Sequence, residues 1–284
     1  MTLVAYYELC KPRVVALMLI TSLVGMLLAT PSWVPLRILI LGNLGIGLGA
    51  CAAAVVNHLV DRRIDALMGR TQFRPLPSGR VTSGQAILFA SVLAFLSMLI
   101  LSLWVNKLTA LLTLVTLIAY AGVYSLYLKR ATPQNIVIGG IAGAAPPLLG
   151  WTATTGHIDP HGLLLVLIIF VWTPPHFWAL AIQRYKEYAR ADIPMLPVTH
   201  GIPFTKLCIF LYTLLLAAVS VLPYVVGMSG LIYLVAALLL NSIFIFKSYL
   251  LLTKKEEHVL AGNVFRFSIW YLFGIFVFLL IDHY

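Results

Sequence analysis

Nine apolar stretches of roughly 17–25 residues follow one another along the chain, each long enough to cross a bilayer as a helix. They run at approximately 14–31, 37–60, 86–105, 108–127, 134–153, 162–182, 205–225, 229–250 and 264–281. Hydrocarbon offers backbone N–H and C=O groups no partners, so a chain written this way crosses it as helices. Nine spans in 284 residues leave no length for a soluble domain. The expected fold is an all-α integral membrane protein, a bundle of nine transmembrane helices forming a single domain over 1–284. Composition agrees: 10% of residues are charged, against about 25% in soluble domains.

The net charge of +10 would suit a nucleic-acid binder, but its distribution does not. With the loops placed alternately on two sides, seventeen of the nineteen Lys and Arg residues share one side; Arg37 and Lys107 are on the other. The positive-inside rule makes the rich side cytoplasmic, so the N-terminus is expected inside and the C-terminus outside. Membrane lipid, with no nucleic acid, is the expected environment of most of these cations. Cys10, Cys51 and Cys208 form no paired motif and read as packing residues. The N-terminus reads as neither a signal peptide nor a transit peptide, which favours a bacterial cytoplasmic (inner) membrane.

Polar residues concentrate in two long cytoplasmic stretches. The first is Asn57 to Arg80, NHLVDRRIDALMGRTQFRPLPSGR. Asn57, Asp61 and Asp65 are spaced i, i+4, i+8, which places them on one helical stripe. Oxygen ligands of this kind suit Mg²⁺ shared with substrate phosphates. Arg62, Arg63, Arg70, Arg74 and Arg80 interleave or follow, and Arg forks match phosphate oxygens. The competing reading is a solvated helix end where the two acids pair with Arg62 and Arg63. Lys129 and Arg130 add a cationic edge after Tyr124 and Tyr127.

The second stretch is Trp172 to Pro197, WTPPHFWALAIQRYKEYARADIPMLP. His176 falls inside a membrane span, where an ionisable group is a functional candidate; a backbone hydrogen bond is the plainer alternative. Arg184, Lys186, Glu187 and Asp192 make a second mixed-charge mouth. Both stretches contain a Leu-Pro pair, Leu76-Pro77 and Leu196-Pro197, a weak sign of two parallel repeats.

These motifs resemble the UbiA superfamily of intramembrane prenyltransferases along essentially the whole chain. The likeness runs through KPRV at Lys11–Val14, the NxxxDRxxDxxMxRT pattern from Asn57 to Thr71 and RPLPSG at Arg74–Gly79. It continues through YSLYLKRxTPQN at Tyr124–Asn135, GGIAGAAPPLLGW, WTPPHFWALAI at Trp172–Ile182 and YKEYxxADIPMLP at Tyr185–Pro197. The last two point to a haem-modifying branch. The resemblance implies transfer of a farnesyl group from farnesyl diphosphate to a vinyl group of haem B, with addition of water, giving haem O and diphosphate. It implies Mg²⁺ on Asn57, Asp61 and Asp65, with Lys129 and Glu187 completing the catalytic set. It assigns the diphosphate to Arg62, Arg70, Arg74, Lys129, Arg130 and Lys186, and the haem or second half of the site to His176, Tyr124, Tyr185, Glu187 and Asp192. Haem A synthase or a terminal oxidase are the partners it suggests. Two departures stand out. The second DxxxD motif found elsewhere in the superfamily is replaced by His176, with Glu187 and Asp192 beyond it. The tyrosine-to-lysine spacing from Tyr124 to Lys129 is one residue longer than usual. A prenyltransferase acting on an aromatic acid in quinone synthesis is the alternative within this chemistry; a transporter or haem-handling protein is the alternative outside it.

Overall fold

The protein's structure, a computed structural model, describes residues 3–69 and 71–284, with Arg130 described by its backbone alone. Arg70 and the side chain of Arg130, both expected at the diphosphate, therefore lie outside the described residues. The elements are α1 (Leu3–Leu9), α2 (Pro12–Leu28), α3 (Leu36–Leu67), α4 (Ser83–Trp104) and α5 (Lys107–Ile118), which continues as a π-helical segment, Ala119–Leu128. After it come α6 (Lys129–Ala131), α7 (Asn135–Ala144), α8 (Pro146–Thr155), α9 (Pro160–Gln183), α10 (Tyr185–Arg190), α11 (Leu196–Val225), α12 (Leu231–Thr253) and α13 (Glu257–His283). No strand occurs among the described residues. Eight helical stretches among them are long and apolar enough to cross a membrane, and α1 with α2, bent by 54°, makes a ninth if counted as one span. This is the expected all-α, multi-span architecture.

The boundaries differ from expectation where side chains interrupt or prolong a helix. The bend between α1 and α2 falls at Lys11, whose backbone is left-handed (φ 49°), and at Pro12, which opens α2. The fifth span breaks at Ala145, because Pro146 and Pro147 cannot donate to the preceding turn and start α8 instead. The seventh span begins at Leu196 rather than near 205 and passes a break at Gly201 (φ 81°). The second span continues to Leu67. At 1.5 Å per residue its 32 residues measure about 48 Å, well beyond the ~30 Å hydrocarbon core. A helix of this length has turns to spare beyond a single crossing, and its final turns carry Asp61 and Asp65.

The chain divides into two compact units: one runs to Leu128 and resumes over Ala145–Gly162, the other takes Lys129–Ala144 and Leu163–Tyr284. In the first, α2 packs on α8 and α3 on α4. The α2–α8 seam closes to backbone contact. A Cβ on Gly25 would lie 2.1 Å from the Pro147 carbonyl oxygen, and one on Gly150 only 1.9 Å from that of Ser22. Small residues permit such approach in membranes, where apolar burial does not drive helices together. On α3, Gly45 offers its carbonyl to Ser97 Oγ at 2.6 Å. In the second unit, α11, α12 and α13 are pinned by a buried polar cluster. Tyr271 donates to Asn241 Oδ1 (2.7 Å), Asn241 Nδ2 to Ser220 Oγ (2.9 Å), and Tyr233 to the Ser220 carbonyl (2.6 Å).

The seam predicts a sharp asymmetry between glycines. Gly150→Leu should cut the yield of folded, detergent-extracted protein severely, since overpacking costs 1–3 kcal/mol or more and here the obstacle is backbone. Gly143→Ala, with no atom within 4 Å of its Cβ, should leave yield and melting temperature unchanged.

Candidate active site

The stripe on α3 is buried within the protein: Asn57, Asp61 and Asp65 are each only 3% exposed. Asn57 and Asp65 each have a defined setting. Asn57 Nδ2 donates to Ser125 Oγ at 3.0 Å, and Ser125 Oγ donates to the Tyr120 carbonyl at 2.9 Å. That chain orients the amide, and its Oδ1 accepts from Lys11 Nζ. Asp65 is gripped by Arg74, whose Nη1 lies 2.9 and 2.8 Å from its two oxygens. Its carbonyl accepts from Thr71 Oγ1 at 2.9 Å, folding the following loop back over the helix end. The loop is latched again by Arg80, which donates to Glu8 (2.6 Å) and to the Phe73 carbonyl (2.7 Å). The Glu8 carboxylate raises the Arg80 guanidinium above its usual pKa.

The competing pairing of the acids with Arg62 and Arg63 does not occur among the described residues. Both arginines are exposed, and Arg62 donates to Ser83 Oγ at 2.6 Å. One position along a helix is 100° around it, so Arg62 turns away from the stripe that Asp61 occupies. Arg74, four residues beyond Arg70, takes that place.

Two carboxylates and a carboxamide form an oxygen-only donor set. Among the described residues no three His, Cys, Asp or Glu side chains gather around a point, so nothing here resembles a zinc cage. The set fits Mg²⁺, which binds through one or two carboxylates and takes the rest of its shell from phosphate and water. The positions a cation would share are already met by positive groups, Lys11 at Asn57 and Arg74 at Asp65.

The π-helical segment explains an oddity of the sequence. Ala119–Leu128 is wound with i→i+5 bonds over ten residues, a wide form concentrated at functional positions. The surplus residue in the Tyr124-to-Lys129 spacing falls in this segment. The winding turns Ser125 to Asn57, and Tyr124 stacks on Tyr120 with centroids 5.4 Å apart. Lys129 opens the short α6 that follows.

In the second unit His176 is 8% exposed within α9. Trp172 stacks on its ring (4.2 Å, 22°), Phe265 leans on it (4.7 Å, 31°) and Phe177 meets it edge-on (5.0 Å, 90°). Its Nδ1 is 2.7 Å from Ser268 Oγ, so its partner is a side chain and not a backbone group. Tyr185, Lys186 and Glu187 lie on α10. Lys186 is exposed, and Glu187 sits 3.8 Å from Arg184. Asp192 is exposed in a left-handed turn (φ 48°). These residues do not assemble a second carboxylate stripe like that on α3.

Three polar residues of these settings escaped the sequence reading. Lys11 and Ser125 belonged to noticed motifs without a role; Ser268 had no sequence signal, being brought in by another helix.

The UbiA prenyltransferase family model matches residues 18–279. A protein of Legionella pneumophila (strain Paris), called protoheme IX farnesyltransferase, is 64% identical over 98% of this chain and 95% of its own. One of Pseudoalteromonas atlantica, protoheme IX farnesyltransferase 2, is 61% identical over 98% and 91%. Among solved structures, a digeranylgeranylglyceryl phosphate synthase superposes with a TM-score of 0.84 at 20% identity, covering 99% of this chain and 98% of that one. A UbiA homologue from Archaeoglobus fulgidus, bound to DMAPP and Mg²⁺, gives 0.66 at 19% identity over 96% and 99%. The chain belongs to the UbiA prenyltransferase family.

Proposed function

We propose that this chain converts haem B to haem O, transferring a farnesyl group from farnesyl diphosphate to a haem vinyl group, as one prenyltransferase domain over its whole length. The observation that carries this reading is the buried Asn57–Asp61–Asp65 stripe where a membrane helix leaves the hydrocarbon. The relatives' shared name supports haem as the acceptor. UbiA homologues solved with Mg²⁺ and DMAPP or GPP support a metal-bound prenyl diphosphate.

Mg²⁺ held by Asn57, Asp61 and Asp65 would supply charge to a departing diphosphate. Arg74 is poised on the same carboxylate, and a guanidinium moving from carboxylate to phosphate keeps its hydrogen bonds. Arg70, Lys129, Arg130 and Lys186 add cations of the same sign. The allylic C–O bond breaks with its electron pair leaving on diphosphate. Aromatic faces favour the cation left behind, and Tyr120 and Tyr124 present such faces on the π-helical segment. The terminal vinyl carbon bonds to the farnesyl carbon; water adds to the adjacent carbon and loses a proton. His176, in its aromatic setting, is assigned to the haem, with Tyr185, Glu187 and Asp192 on the segment that follows α9. The enzyme is placed in a bacterial inner membrane with its N-terminus and active site cytoplasmic, on the strength of seventeen basic residues out of nineteen. A haem A synthase or terminal oxidase would take the product.

Purified protein given haem B, farnesyl diphosphate and Mg²⁺ should form haem O by mass; a prenylated hydroxybenzoate or naphthoate in its place would overturn the reading. Asp61→Asn should lose nearly all turnover while melting like the parent, and unchanged turnover at saturating Mg²⁺ would refute the metal assignment. Arg74→Gln leaves Asp65 buried without its guanidinium and should cost about 1–3 kcal/mol of stability, with Mg²⁺ and farnesyl diphosphate together recovering part of the loss in a thermal melt. For topology, His157→Cys should react with an impermeant maleimide on intact cells and Arg190→Cys only after permeabilisation; the reverse would invert the orientation.

A further inference from the structure

We propose that His176 binds the haem iron through Nε2 and that Ser268 is the positioning residue that commits the ring to this tautomer. The inference rests on haem B being the substrate and concerns how the second unit grips it. Ser268 Oγ lies 2.6 Å from the Phe265 carbonyl oxygen. A carbonyl only accepts, so the single hydroxyl proton is used there. The same Oγ lies 2.7 Å from His176 Nδ1; with its proton already donated, the serine can only accept, and Nδ1 must carry the N–H. Within an apolar helix, with aromatic rings and a serine as its neighbours among the described residues, the ring is uncharged and has one N–H. The lone pair is therefore on Nε2.

Nothing among the described residues hydrogen-bonds Nε2, although the side chain is 8% exposed. The ring is also held against turning by Trp172, Phe265 and Phe177. A neutral imidazole whose other nitrogen donates to a fixed oxygen is the usual state of a metal-ligating histidine. A purely structural clamp between α9 and α13 is already present at the same level, because Trp172 Nε1 donates to the Ser268 carbonyl at 2.7 Å. An open groove of about 470 Å³ lies where the end of α9 meets the start of α13, lined by Gln183, His258, Val259, Gly262, Phe265 and Arg266. Phe265, which leans on His176, is one of its walls. Arg266 and His258 give it a rim that suits the two carboxylates of a porphyrin.

The test is a titration of the detergent-purified protein with ferric haem B, without prenyl donor, followed by absorption and electron paramagnetic resonance. The wild type should show a histidine-ligated iron. His176→Gly should lose that signature and regain it with added imidazole. Ser268→Ala should weaken haem binding by about tenfold or more, the usual effect of removing a partner behind a metal ligand, while Ser268→Thr, which keeps the hydroxyl, should bind like the parent. Haem O formation together with an unaltered iron signature in His176→Gly would overturn the ligand assignment and leave the proposed function intact. Equal haem affinity in Ser268→Ala and wild type would overturn the positioning role. No uptake of haem B by the wild type would remove the haem reading itself.

Discussion

A backbone in hydrocarbon has only itself to bond to, and the rest of this structure is built on that constraint. It makes the spans helical and forces each irregularity to have a local cause. Where α7 gives way to α8 the cause is Pro146 and Pro147. Where α1 meets α2 it is Pro12 and a left-handed lysine. It also sorts the chemistry. Groups that need charge collect where a helix outlasts the membrane, and α3, with 32 residues, is the longest helix described.

Once carboxylates stand at such an end, they require cations. Asp65 has Arg74, and the amide of Asn57 has Lys11. Neither pairing is local: one depends on a loop that folds back through Thr71, the other on the bend that brings α1 and α2 past α3. The polar end of the first unit is thus arranged around its acids. Lys11 and Asp192 are the two non-glycine residues with positive φ among those described, the first in contact with Asn57 and the second within the second polar stretch. Backbone held in that region costs about 1–3 kcal/mol and persists where surrounding contacts demand it.

The spans were legible because hydropathy over about 20 residues is a direct physical readout of membrane thickness. The Asn57–Asp61–Asp65 stripe was legible for a related reason, since helical spacing alone puts i, i+4 and i+8 on one face. What the sequence left hidden was everything supplied across helices. Ser125 sits 68 residues from the amide it orients, and Ser268 sits 92 from His176; no spacing rule reaches that far. Arg62 looked as promising as Arg74 when both were letters beside two acids. Only the helix continuing to Leu67 decides that the first points away and the second returns.

The wide winding of residues 119–128 gives the fourth span a form of slack. A segment bonded i→i+5 contains, turn for turn, more chain than an α-helix of the same rise. Losing a residue there can be absorbed by tightening the coil, whereas the same loss in α3 would rotate Asp61 and Asp65 by 100° and scatter the stripe. One span of this protein can therefore vary in length and still deliver the same faces to its neighbours, while the span beside it must be counted residue by residue.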